Sequence, residues 1–249
     1  MNKMNIPMKN DLGEVNWIRK VGLVSSISLA VLTAITFVMA ICTPPISGPF
    51  STAAITSYPY TNIISRFPRD YYWMYPAMLM MLIYVVYMVS VDQYARPERK
   101  IFSHTALLFA CLSAGVLFVD YFVQVSVIQP SLMSGEYDAL PILTQYNPHG
   151  LFIVLEEAGY ILMTISFLFM APVFKGPGRI ETGIRWLAGL SFIMAIIALV
   201  VISAIYGLGR EYRFEIAVIT IDFLALIMLG ILSAIMFRHG GNVDKGIKN

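Results

Sequence analysis

The chain has 249 residues, of which 58% are hydrophobic and only 13% charged. A soluble domain carries about 25% charged residues. Half that density cannot cover a water-exposed surface, and with a mean hydropathy of +0.72 the composition excludes a disordered chain, a collagen-like repeat and a disulfide scaffold. The formal net charge of +2 and the lack of any run of five basic residues argue against nucleic acid as a partner and against a polybasic lipid clamp. The lipid bilayer is the expected partner, and the fold class is an all-α, polytopic integral membrane protein.

A bilayer core takes about 20 apolar residues per spanning helix, and six such stretches follow one another. The first, 21–42, carries no charge. Arg19 and Lys20 before it are like the basic start of a signal peptide, but an apolar region typically runs ~7–15 residues there, so this longer one is expected to stay as a helix. Residues 43–70 hold Pro44, Pro45, Pro49, Pro59 and Pro68. Proline fixes φ and removes a backbone donor, so the segment is predicted to be an irregular extracytoplasmic cap. The second span, 71–91, opens on Tyr71, Tyr72, Trp73 and Tyr75, the composition of an interfacial aromatic belt. The third, 102–128, is interrupted by Asp120, and the fourth, 150–174, by Glu156 and Glu157. Between them lies a second Pro-containing outer loop, 129–149. The fifth, 183–206, is uncharged beyond Arg185; the sixth, 214–237, carries Glu215 near one end and Asp222 further in. Together they form one membrane domain over 1–249. Small residues four apart, Ala110 with Ala114 and Gly230 with Ala234, suit close helix contacts. Cys42 and Cys111 read as apolar filler.

Lysine and arginine set the expected orientation. Thirteen of the seventeen fall on the side that holds both chain ends. Only Arg66, Arg69, Arg210 and Arg213 fall on the other. Both termini are therefore expected in the cytoplasm, with the protein in the cell membrane.

Charged groups inside a bilayer are costly and tend to mark function or a paired structural site. At 1.5 Å per residue, Asp120 lies about 12 Å below its outer helix end, Glu156 and Glu157 about 9–10 Å, and Asp222 about 12 Å. Four carboxyl groups on three helices are thus predicted at one level. Gln124 shares a face with Asp120, and Gln129 continues outward. Tyr160 lies one turn below the glutamates, and His149 tops the same helix, with Asn147 as its expected cap. No lysine or arginine lies at that depth, although Arg66 and Arg69 on the rim are candidates to reach down or to grip a head group. Such carboxyls cannot all stay charged together: some carry protons, or a cation sits among them.

Several chemistries fail on the residues present. The three histidines, His104, His149 and His239, fall at opposite ends of the spans and cannot form a zinc triad. Glu156-Glu157 lacks the arginine that the Glu-Glu-x-x-x-Arg motif of intramembrane glutamate proteases requires, since that position is Ile161. Three functional classes are left. The first is a carboxylate-lined outward site that binds a proton, cation or small solute in a transport-like role, completed if needed by a homo-oligomer. The second is an enzyme on a lipid or amphipathic substrate, with Asp120, His149, Glu156, Glu157 and Asp222 as acid, base or ligands of a divalent metal. The third is an accessory subunit whose polar groups only specify packing. No cofactor is indicated.

Overall fold

The computed structural model describes residues 8–43 and 58–239. In chain order its helices are α1 (Met8–Cys42), α2 (Met74–Tyr94), α3 (Lys100–Val123), α4 (Gln129–Ser134), α5 (Leu140–Leu143), α6 (Leu151–Met170), α7 (Arg179–Tyr206) and α8 (Glu211–Arg238). Six of them, all but α4 and α5, belong to segments long and apolar enough to cross a membrane, as the hydropathy pattern predicts. No strand occurs among the described residues.

The six long helices pack as a ring in chain order, each against the next, and α8 closes the ring against α1. α6 also touches α8, which draws it toward the middle. α7 is the most exposed, turning Ile193, Ile197, Val200 and Val201 outward, an apolar face suited to lipid.

Close approach is set by small residues. A Cβ on Gly230 of α8 would lie 2.7 Å from the Ser26 carbonyl oxygen of α1, and one on Gly159 of α6 would lie 2.5 Å from Leu117 of α3. Ser113 of α3 donates to the Gly159 carbonyl at 2.8 Å. Buried hydroxyl pairs cross the bundle: Tyr84 of α2 meets Ser166 of α6 at 2.7 Å, and Tyr87 of α2 meets Ser233 of α8 at 2.9 Å. In an apolar surround such pairs, about 0.6 kcal/mol each on average, fix rotation and register more than they add stability.

The two faces of the bundle differ in their polar contacts. At the face holding the start of α1 and the end of α8, Arg19 donates to the carbonyls of Phe237 (3.3 Å) and Arg238 (3.2 Å), a cation on the negative end of a helix. There Asp92 accepts from Ser103 at 2.5 Å and pairs with Lys100 at 3.2 Å, pinning the α2–α3 turn. Tyr94 donates to Glu181 of α7 on the same face.

Helix limits differ from the sequence reading in two instructive places. α1 starts at Met8, well before residue 21, because residues 8–20 hold no proline and the helix runs through their one glycine, Gly13. The third span does not stop at residue 128. A π turn over Gln124–Ile128 carries it into α4, with Pro130 near the first position of that helix. A widened turn already gives up regular i−4 bonding, so proline's missing N–H costs little there. The stop comes at Gly135, whose φ of 74° is the left-handed conformation that ends helices; Glu136 N–H returns to the Ser131 carbonyl at 2.9 Å. Of the cap segment 43–70, residues 44–57 lie outside the described part, and the remainder forms two short 3-10 helices, Thr61–Arg66 and Arg69–Tyr71.

Candidate functional site

At the face opposite the chain ends, a cavity of about 240 Å³ lies among the end of α1, the starts of α6 and α8, and the loops at residues 70–73 and 145–146. Its walls are mostly aromatic and aliphatic: Phe37 and Ile41 of α1, Phe152 of α6, Phe223 of α8, and Trp73. Glu156 of α6 and Glu215 of α8 bring carboxyl groups to it.

Glu156 is 1% exposed. Tyr121 of α3 donates its hydroxyl to Glu156 Oε1 at 2.7 Å and meets the Tyr160 hydroxyl at the same distance. The Glu215 carboxyl lies close enough to that of Glu156 for a hydrogen bond between them. Glu215 is 8% exposed, and its Oε2 has no donor among the described groups. A hydrogen bond between two carboxyl groups needs a proton, because a carboxylate oxygen only accepts.

The predicted site residues divide. Asp120, 2% exposed, stands behind Glu156, near enough for their charges to interact, but does not line the cavity. Tyr160 reaches Glu156 through Tyr121 rather than directly. Glu157, about 100° around the helix from Glu156, turns away and pairs with Arg210 at 2.7 Å.

Asp222 is fully buried but lines no part of the cavity. α8 starts at Glu211 rather than near 214, and α6 at Leu151. Asp222 is therefore eleven residues into its helix and Glu156 five, which separates them by about 9 Å along the bundle. Seven residues separate Asp222 from Glu215, two turns along one face of α8. The single level expected for all four carboxyls does not hold.

Gln124 is a brace. Its Nε2 donates to the Leu143 carbonyl at 2.6 Å and its Oε1 accepts from Gln145 N–H at 3.0 Å, locking the loop that brings Gln145 and Tyr146 to the cavity. Tyr212 at the start of α8 holds the same loop through the Gln145 carbonyl at 2.8 Å. The rim arginines serve Asp70, a third carboxylate at the cavity wall: Arg66 pairs with it at 3.1 Å, and Arg69 approaches to 3.9 Å. Tyr146 donates to the same carboxylate at 3.0 Å. Burial, then the neighbouring Tyr71 and Asp70, pushes the Tyr146 phenol well above its usual range, so it keeps the proton it donates.

His149 is exposed and does not line the cavity. The cap of α6 is Gly150, with no side-chain cap bond. Asn147 instead braces its own loop, accepting from His149 N–H at 2.9 Å and donating to the Pro141 carbonyl at 2.5 Å.

Among the described residues, no three His, Cys, Asp or Glu side chains are placed to hold one metal ion. The sequence reading missed Glu215 and Tyr121. Glu215 looked like a helix-end charge, yet its seven-residue spacing to Asp222 placed both on one stripe of α8. Tyr121, next to Asp120 in the chain, carries no sequence signal that sets it apart from the other aromatics. Comparison with protein-family models, with curated proteins and with solved structures finds no match.

Proposed function

We propose that this membrane protein carries an exchangeable proton on the Glu156–Glu215 pair, at a cavity open to the extracytoplasmic side, and binds a cation or small solute there in a transport-like role. The lysine and arginine bias supports the orientation, with the chain ends and the Asp92 face in the cytoplasm. The observation that carries the reading is the pairing of two buried carboxyls next to a cavity with Tyr121 as their neutral donor. The contrast with Glu157 is informative. Glu157, next to Glu156 on the helix, has Arg210, as a purely structural carboxylate in a membrane should. The pair instead holds net charge down with a shared proton, which a cation can replace.

Infrared difference spectra of the reconstituted protein across pH 5–9 test this. One protonated-carboxyl component, separate from any contributed by the buried Asp120 and Asp222, is expected in the wild type and is expected to be missing from both Glu156→Gln and Glu215→Gln. Its persistence in both variants overturns the reading. The enzyme alternative finds no comparable support: Asp120, His149, Glu157 and Asp222 do not meet around a point where a substrate atom could sit.

A further inference from the structure

We infer that the cavity beside Glu156 and Glu215 takes a small organic monocation, an ammonium with an apolar body, in exchange for the proton shared by the two carboxyls. The inference rests on the proton-sharing reading above and adds the ligand's chemical class. Three observations carry it.

The first is the orphaned acceptor. Glu215 is more than nine-tenths buried, lines the cavity, and has an oxygen without a donor among the described groups. A buried acceptor left unmet is costly, and a cation in the cavity would offset it by charge.

The second is the wall. Phe37, Trp73, Phe152 and Phe223 surround the carboxyls with ring surface. Phe37 and Phe223 stand edge to face at 5.7 Å between centroids, and Trp73 is fixed against Tyr121 in the same way at 5.1 Å. Rings attract an ammonium through their quadrupoles, most strongly when it is desolvated. A hydrated metal ion gains little from such walls, and no three His, Cys, Asp or Glu side chains among the described residues are placed to hold one. A neutral apolar molecule would leave the carboxyl unmet.

The third is size. At roughly 30 Å³ per water, about 240 Å³ holds about eight waters, enough for a compact ligand and too little for a lipid body.

The other ionisable groups nearby are already engaged or set back. Asp70 has Arg66 and Tyr146, and Glu157 has Arg210. Tyr160 and Tyr121 are bonded to each other, Asp120 stands behind Glu156, and Asp222 lies away from the cavity. Charge balances in the exchange: the pair with one proton carries −1, and the same pair without it, holding one monocation, carries −1. The proton leaves to water.

The probe is phenyltrimethylammonium, permanently charged, compared with tert-butylbenzene, its neutral isostere. The protein is placed in nanodiscs of phosphatidylglycerol, which contains no ammonium. Trp73 is the reporter, because the other tryptophans, Trp17 and Trp186, are exposed elsewhere. Saturable quenching by the cation is expected, lost in Trp73→Phe, weakened at least tenfold in Glu215→Gln, and absent with the isostere. Calorimetry in two buffers of different ionisation enthalpy should give one proton released per cation bound. Adding phosphatidylcholine distinguishes the source: competition with the probe means that a lipid's choline head group enters the site, and no competition means a free solute does.

Equal binding of the isostere, unchanged affinity in a folded Glu215→Gln, or no binding at all overturns the inference. If the infrared band behaves as expected while the cation fails to bind, the ligand class falls and the shared proton stands. If the band is the same in both glutamine variants, the underlying reading falls.

Discussion

Replacing Gln124 by alanine should loosen one wall of the cavity without touching the carboxyls. The Gln124 side chain is fully buried and makes two bonds to one loop, donating to the Leu143 carbonyl at 2.6 Å and accepting from Gln145 N–H at 3.0 Å. Truncation leaves both backbone groups without that partner. A buried orphan group costs about 1–3 kcal/mol. Leu143 and Gln145 are only half buried, so the lower half of the range applies to each, for a total of about 2–4 kcal/mol. Gln124→Glu keeps the acceptor for Gln145 but sets a buried carboxylate oxygen against the Leu143 carbonyl, so a loss at least as large as alanine's is expected. Unfolding by detergent titration measures the global term. Hydrogen exchange measures the local one: at 1.4 kcal/mol per decade, a loss of ~2 kcal/mol speeds exchange at the Gln145 amide about 30-fold. A loss under about 0.5 kcal/mol with unchanged exchange at Gln145 would refute the assignment of Gln124 as a brace.

Other substitutions separate packing from pairing. Arg210→Met should destabilise by about 1–3 kcal/mol, less than a fully buried pair because the arginine side chain is 34% exposed; adding Glu157→Gln should recover most of it in a double-mutant cycle. Gly230→Val should abolish or severely reduce folded protein, because a Cβ would already press on the Ser26 carbonyl at 2.7 Å. Gly115→Ala, with nothing within 4 Å of the new Cβ, should raise stability by about 0.5–1 kcal/mol; size-exclusion yield and melting temperature read both. Asp92→Asn should cost about 1–3 kcal/mol by weakening the Ser103 and Lys100 contacts at the α2–α3 turn, with no effect on proton exchange at the distant Glu156 and Glu215.

The spans were legible because hydropathy is a local property, and the bilayer sets their length. The carboxyls were legible as outliers within those spans. Their partners were not. Whether Glu157 meets Arg210 or the cavity depends on rotation about α6, fixed by contacts such as Gly159 on Leu117 that no periodicity reveals. The depth of Asp222 was misjudged because α8 extends outward through Glu211, Tyr212 and Arg213, polar residues that read as loop. Gln124 and Asn147 were read by residue type as ligand and cap, whereas both brace the outer loop. Pro130 was read as a loop residue because the π turn that accommodates it has no simple sequence signature. Glu215 was discounted for lying near a helix end, where charged residues usually meet water.

The most direct test of the exchange is counter-movement in liposomes. With the protein reconstituted and an acidic lumen imposed, external phenyltrimethylammonium should enter as protons leave, one for one, and Glu215→Gln should abolish both fluxes while Asp92→Asn retains them. Because this cation carries a fixed charge, it does not follow a pH gradient as a neutral base would. Cation uptake without proton efflux, or equal coupled flux in Glu215→Gln, would contradict the account.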